Sequence, residues 1–248
     1  MIAKRILKIR DAISDLKGAI IDFVLPSHCI TCGNYLSQQE RIVCDVCWDN
    51  LEVLPSPFCP VCKNILEQGN LLCRICTERK NLCAVRSLGV FDNYYQKMIH
   101  GFKYQQKMSL GQRLGKRLGE KLKDDKLTSG FDCIIPVPLH STRKRERGFN
   151  QSEILAQELS DVTHIPVLKK VLKRTRNTKD QTKLTPEERI ENVRGAFTLK
   201  DPEKIEGKKI ILVDDVMTTG ATLEECAIVL REAGVERIMG ATIAVALI

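Results

Sequence analysis

The chain has 248 residues, of which 43% are hydrophobic and 28% charged, so a disordered or low-complexity protein is excluded and a sizeable core can form. The net charge of +8 favours anionic partners such as phosphates, nucleic acid or an acidic surface, without choosing among them. The longest strongly apolar stretch, Ile238 to Ile248, is too short to span a bilayer. Charges at Lys4, Arg5, Lys8, Arg10, Asp11, Asp15, Lys17 and Asp22 break up any signal-peptide core. A cytoplasmic protein with reduced thiols and no stable membrane insertion is expected.

In chain order, Ile2, Ile6, Ile9, Ile13, Leu16 and Ile20 have helical spacing, which predicts an amphipathic helix over residues 1–25. Residues 26–83 are rich in cysteine and proline and too poor in core to fold on apolar burial alone. An ordinary mixed segment begins at residue 84. A helix is predicted over Ser109 to Lys123, with Leu110, Leu114, Leu118 and Leu122 on one face. Gly111, Gly115 and Gly119 repeat at the same spacing and point to close helix packing. A buried strand is predicted over Phe131 to Val137, a helix over Asn150 to Val162, and a strand or extended segment over Ile165 to Leu172. A short helix over Pro186 to Asn192 follows, with proline in its first turn. The chain closes with a strand over Lys208 to Val213, a helix over Ala221 to Ala233 stopped by Gly234, and a strand within Val235 to Leu247. Strands alternating with helices predict an α/β domain with a mainly parallel sheet.

Eight of the eleven cysteines form four Cys-x-x-Cys pairs: Cys29/Cys32, Cys44/Cys47, Cys59/Cys62 and Cys73/Cys76. A two-residue spacer lets both sulfurs of a tight knuckle face one ion, and two knuckles complete a tetrahedral thiolate shell. Eight ligands suit two closed, structural zinc sites, and metal binding then supplies much of the segment's folding free energy. Four knuckles combine in three ways, of which consecutive pairing is the simplest. Cys83, Cys133 and Cys226 read as small core residues.

The segment Ile210-Ile211-Leu212-Val213-Asp214-Asp215-Val216-Met217-Thr218-Thr219-Gly220-Ala221-Thr222 runs from a buried strand through paired carboxylates and a Thr/Gly turn into a helix. Ligands of open α/β sheets bind at such strand ends. The free N–H groups of a helix N-terminus suit a phosphate, and Gly220 lets the backbone approach it. Asp214 and Asp215 suit sugar hydroxyls and Mg²⁺.

This segment resembles the sugar-phosphate loop of the type I phosphoribosyltransferases. The resemblance extends to the ComF family, which includes competence proteins of the ComFC type. It rests on the cysteine pairs, Leu25-Pro26, Cys47-Trp48, Phe102-Lys103-Tyr104, Ile134 to His140, Arg147-Gly148-Phe149-Asn150-Gln151, Arg174-Thr175-Arg176 with Gln181, and Asn192 to Phe197. It implies a double zinc-ribbon-like domain over 26–83 and a phosphoribosyltransferase domain over 84–248. The implied ligand is phosphoribosyl pyrophosphate with Mg²⁺, held by Asp214, Asp215, Met217, Thr218, Thr219, Gly220, Ala221 and Thr222. The pyrophosphate side falls to a basic loop after Val137 containing His140, Lys144 and Arg145, with Arg143 and Arg147 as its candidate ligands. The implied setting is natural competence: uptake and processing of single-stranded DNA beside other DNA-processing proteins of that machinery.

Of two basic stretches, Lys97 to Lys123 and Lys169 to Lys183, the resemblance implies that the second lies near a loop that closes over the site, and both suit tracking a nucleic-acid backbone. Tyr94, Tyr95, Phe102 and Tyr104 lie beside the first of them, as base-stacking or core residues. Two readings of different class therefore stand open: a phosphoribosyltransferase, and a non-catalytic single-strand binding module whose pocket holds a nucleotide end or a regulatory ligand. A zinc-stabilised scaffold is a third.

Overall fold

A computed structural model of the chain describes residues 27–36, 42–51, 53, 81–125, 128–178 and 184–246. These residues belong to two compact units, 1–51 and 52–248. The helix predicted over residues 1–25 lies outside the described residues, as do Cys59, Cys62, Cys73 and Cys76.

In the first unit, Cys29 and Cys32 sit on a tight knuckle. Gly33 adopts φ +80° and its N–H donates to the Cys29 carbonyl at 2.8 Å. His28 and Tyr35 form an antiparallel bridge across it. Cys44 and Cys47 lie at the start of a short helix, α1 (Asp45–Asp49). Val43, Trp48 and Leu51 are buried beside them, which is a small core for a unit that must hold its shape by other means.

The second unit holds a four-stranded parallel sheet in the order β1-β6-β5-β2. Its strands are β1 (Ala84–Val90), β2 (Cys133–Pro136), β5 (Lys209–Met217) and β6 (Arg237–Val245). A separate antiparallel ladder pairs β3 (Leu172–Arg174) with β4 (Phe197–Leu199). The helices are α2 (Asn93–Tyr104), α3 (Met108–Lys123), α4 (Ser141–Arg147), α5 (Gln151–Thr163), α6 (Pro186–Val193) and α7 (Ala221–Glu232). A parallel sheet must be covered on both faces, and the central strands accordingly carry buried apolar runs: Ile210 to Val213 and Ile238 to Met239 are fully buried. Helix α7 and the β3–β4 ladder share one core with Ile135, Ile210, Leu212 and Ile238. Helices α3 and α5 pack against each other, α3 lying on β1 and β6 and α5 on β2 and β5. No helix among the described residues is long and apolar enough to cross a membrane.

The glycine repeat of α3 explains that packing. A Cβ on Gly115 would lie 2.9 Å from the Glu158 Cβ and 3.3 Å from the Leu155 Cα; one on Gly119 would lie 2.9 Å from the Val162 Cβ. A Cβ on Gly111 would run into the Phe102 ring of α2. Hydrogen at these positions lets α2 and α5 seat directly on the α3 backbone, while Leu110, Leu114, Leu118 and Leu122 enter the core.

Three expectations differ from the observed elements. The segment Ile165 to Leu172 is not one strand: Val167 makes a single bridge to Ile134, Lys170 turns the chain at φ +68°, and the strand begins at Leu172. The stretch after Val137 is not a loop but helix α4, capped at one end by the His140 side chain and at the other by Gly148 at φ +81°. Strand β5 does not stop at Val213; it runs through both aspartates to Met217, because β6 stays paired with it as far as Val245.

Gly115→Val should lower the unfolding free energy in urea by about 1–3 kcal/mol, the usual cost of overpacking. Unchanged stability would contradict the close seat of α5 on α3.

Candidate functional site

In the first unit, the ligand atoms of Cys29, Cys32, Cys44 and Cys47 all lie within 4.8 Å of one another, and Cys32 Sγ is 3.7 Å from Cys44 Sγ. A tetrahedral shell with Zn–S of about 2.3 Å has S–S edges of roughly 3.8 Å, so the cluster fits a structural zinc ion. It joins the first pair to the second, one of the three pairings open from sequence. The Cys44 N–H also donates to Cys29 Sγ at 3.4 Å. Burial pushes the Cys29 thiol up, but hydrogen bonds from the backbone of Cys32, Cys44 and Thr31 outweigh it and bring it to about 6. Burial dominates at Cys44 and Cys47 and raises both.

In the second unit, a cavity of about 660 Å³ opens at the carboxyl ends of the parallel strands. It exists because the neighbours of β5 end at different heights. Strand β2 stops at Pro136-Val137-Pro138, where proline cannot continue a ladder, and its last bond is from the Val137 N–H to the Val213 carbonyl at 2.9 Å. Beyond that point Asp214, Asp215 and Val216 line the cavity.

Asp214 Oδ1 accepts from the Asp215 N–H at 2.9 Å and from the Ser152 hydroxyl at 3.1 Å. Asp215 Oδ1 accepts from Lys103 Nζ on α2 at 2.7 Å. Burial pushes the Asp214 carboxyl up to about 7, and the neighbouring Asp215 charge adds to this; the Asp215 N–H, Lys103 and Ser152 pull the other way. Ser152 is placed by the start of α5, where Asn150 caps the helix and its Nδ2 donates to the Val137 carbonyl at 3.0 Å. One side chain thus ties the end of β2 to the helix that supports Asp214.

After the aspartates, Gly220 takes φ +76° and opens α7 without a capping side chain of its own. Thr218 and Thr222 line the cavity. Met217, Thr219 and Ala221 are buried; Met217 belongs to the core shared with α7, so its side chain is turned away from any ligand.

Arginines line the same cavity. Arg143 and Arg147 come from α4. Arg147 donates to Gln151 Oε1 at 3.1 Å and to the Tyr104 hydroxyl at 3.4 Å. Arg174 comes from β3, with its guanidinium 5.3 Å from the Phe197 ring centroid. Burial lowers its pKa and the Asp214 charge opposes that, yet its Nε is buried without a hydrogen-bond partner. An orphan guanidinium donor beside a cavity suits an anion. The motif Asn192 to Phe197 serves this wall: the Thr175 N–H donates to the Ala196 carbonyl at 2.9 Å, and the Gly195 N–H donates to Glu225 Oε1 of α7 at 2.5 Å.

Of the sequence-predicted residues in this unit, Asp214, Asp215, Thr218, Thr222, Arg143 and Arg147 line one cavity. Lys103, Ser152 and Arg174 were not singled out as site residues; their family-like sequence contexts, above all Phe102-Lys103-Tyr104 and Arg174-Thr175-Arg176, are the signal that could have found Lys103 and Arg174. Tyr95 and Phe102 are core residues, not stacking platforms, whereas Tyr104 is exposed. Cys133 and Cys226 are buried, while Cys83 is partly exposed.

Comparison with known proteins places these features. The phosphoribosyl transferase domain family matches residues 145–246, and the double zinc ribbon domain family matches residues 20–84. The α/β unit accordingly has the type I phosphoribosyltransferase fold, preceded by a double zinc ribbon. The chain is 31% identical to competence protein F of Haemophilus influenzae, over 85% of this chain and 93% of that protein. It is 30% identical to the DNA utilization protein YhgH of Shigella flexneri, over 82% and 90%. It is 27% identical to competence protein ComFC of Bacillus subtilis, over 81% and 82%. Among solved structures, the glutamine phosphoribosylpyrophosphate amidotransferase of B. subtilis aligns at 24% identity and TM-score 0.37, over 53% of this chain and 26% of that one.

Cys44→Ser should lower the zinc content by about one ion per chain, and it should red-shift the emission of Trp48, the single tryptophan, which is buried beside the cluster. Zinc content and emission like the wild type would exclude this cluster as the site. Asp214→Asn tests the acidic pair. Because the folded carboxyl titrates near 7 instead of near its ordinary value, the folded wild type binds the extra proton between these limits. Its stability therefore falls as pH rises from about 4 to about 7. Asp214→Asn should escape that loss, so its stability advantage should open across this window and level off at up to about 4 kcal/mol. Urea unfolding as a function of pH reads this directly, and parallel profiles for the two proteins would contradict it.

Proposed function

The chain belongs to the family of competence protein F, and on that premise we propose that its α/β domain binds phosphoribosyl pyrophosphate with Mg²⁺ and acts in the handling of single-stranded DNA during natural competence. The observation that carries the binding reading is the opposition, in one cavity, of an acidic pair and a threonine–glycine helix start to Arg143, Arg147 and Arg174. A sugar bearing phosphate at one end and pyrophosphate at the other needs this distribution. Asp214 and Asp215 take the ribose hydroxyls and help hold Mg²⁺, which prefers hard oxygen ligands. The turn from Met217 to Thr222 takes the 5′-phosphate on backbone N–H groups and hydroxyls. Arg143 and Arg147 take the pyrophosphate, and the unpartnered Nε of Arg174 gives it a further donor.

Guanidinium groups aimed at the pyrophosphate also stabilise the charge that develops as it leaves, so the site suits ribosyl transfer as well as binding. The DNA setting is supported by the names of the relatives, a competence protein and a DNA utilization protein, and by the net charge of +8. The zinc ribbon serves as structure, with two ions for eight cysteines. Action in the cytoplasm beside other proteins of DNA processing completes the reading.

Calorimetric titration with Mg²⁺ and phosphoribosyl pyrophosphate should give saturable heat with the wild type. In the Asp214→Ala/Asp215→Ala double variant the affinity should fall at least about 100-fold, since charged hydrogen bonds are lost at two positions. Salt-dependent capture of single-stranded DNA should survive in that variant. Equal heats in the two proteins would exclude the acidic pair as the ribose site.

A further inference from the structure

The acidic pair at the end of β5 has a cation of the chain's own beside it. Lys103 Nζ lies 2.7 Å from Asp215 Oδ1, and the two side chains are only 20% and 14% exposed. Asp214 is served by neutral donors instead, the Asp215 N–H and the Ser152 hydroxyl. An ion pair on the open surface is screened by salt and worth little. This one is mostly withdrawn from solvent, so its charge is felt by whatever enters the cavity.

The place of Lys103 is built into α2. Asp92 caps that helix by accepting from the Tyr95 N–H at 2.9 Å, and Tyr95, Met98, Ile99 and Phe102 are buried along its inner face. The Phe102 ring stacks on Phe149 with centroids 5.5 Å apart and lies over Gly111 of α3. The backbone at Lys103 is therefore fixed, and movement is left to its four-carbon stem. Lys103 also lines the cavity, so its ammonium has room to turn from Asp215 toward a ligand. An arginine fork would grip the carboxylate with two parallel bonds, whereas a lysine is a point charge that lets go more easily.

The charges act with opposite sign on two ligands. Two adjacent carboxylates are by themselves a hard-oxygen site for a divalent cation. An ammonium at 2.7 Å from one of them repels that cation at close range, where screening is weak. A sugar carrying phosphate and pyrophosphate is a polyanion, which the carboxylates repel and the ammonium attracts. Building on the phosphoribosyl pyrophosphate reading, we propose that Lys103 sets the order of entry: it keeps free divalent metal off Asp214 and Asp215, and yields the pair only to metal that arrives on the sugar pyrophosphate, whose phosphates receive its ammonium. Lys103 is on this account a positioning residue for the metal, and the exchange of partners involves no covalent step.

The test uses the full chain and two titrations. Loss of the free Mn²⁺ resonance reads the binding of metal alone, and calorimetry in saturating Mg²⁺ reads the binding of phosphoribosyl pyrophosphate. Lys103→Met should bind Mn²⁺ at least about ten-fold more tightly than the wild type, and phosphoribosyl pyrophosphate at least about ten-fold more weakly. Lys103→Gln should repeat both changes, which guards against a folding defect in one variant. Lys103→Arg keeps the charge and should exclude Mn²⁺ as the wild type does. Adding Asp214→Ala and Asp215→Ala to Lys103→Met should abolish the tighter Mn²⁺ site. A lysine with a merely structural role would, on removal, weaken both ligands or neither. Either result would overturn the proposal, as would equally tight Mn²⁺ binding in Lys103→Arg and Lys103→Met. Failure of the wild type to bind phosphoribosyl pyrophosphate would instead remove the reading on which the proposal rests, and the Mn²⁺ titration, which needs no sugar, tells the two failures apart.

Discussion

Strand β2 ends after the Val137 N–H, where Pro138 has no donor to extend its ladder, while β5 continues to Met217 on its pairing with β6. The difference in length leaves Asp214, Asp215 and Val216 bordering open space. Three other elements then converge on that space. The Val137 carbonyl receives Asn150, which starts α5 and delivers Ser152 to Asp214. The chain leaving β2 runs directly into α4 and brings Arg143 and Arg147 to the cavity. The end of β5 turns through Gly220 into α7. A longer β2 would fill the notch, and the same residues would form an ordinary sheet edge.

Electrostatics gives that space two poles. Two neighbouring carboxylates repel, and burial makes the ionised form of Asp214 costly. One cation, Lys103, reaches Asp215, and hydroxyl and backbone donors serve Asp214. Neutral groups hold two of the arginines: a ring and a threonine hydroxyl for Arg174, an amide and a phenol for Arg147. Charge held apart in this way is costly in an empty pocket and favourable once a ligand with complementary charge enters. The instability of Asp214 as a carboxylate is a consequence of this arrangement.

The cysteine-rich part solves a different problem. Among the described residues of the first unit, Val43, Trp48 and Leu51 form only a small core, and four converging sulfurs stand beside it. Four thiolates from the protein suffice to close the coordination of one zinc ion, which suits a structural role.

Much of this was legible from sequence, because local rules decided it. The spacing of the cysteine pairs announced a metal knuckle whatever surrounded it. The apolar run Ile210 to Val213 could only be a buried strand, and Gly111, Gly115 and Gly119 could only mark a close helix contact. The run from two aspartates through threonines and glycine marked a strand end that opens into a helix start, and its two aspartates and Thr218 and Thr222 line the cavity. What stayed hidden depended on partners distant in sequence. Residues 141–147 looked like a basic loop because their caps, His140 and Gly148, are read only once the helix between them is seen. Strand β5 passed its expected end because β6, some twenty-eight residues later, stays in register with it. Lys103, Ser152 and Arg174 became site residues only when α2, α5 and the β3–β4 ladder closed around the end of β5. The sequence by itself determined which carboxylates, hydroxyls, guanidinium groups and thiols the protein has. The tertiary structure alone decided which of them share a cavity, because that depends on where neighbouring strands stop, and no local pattern encodes the length of a distant strand.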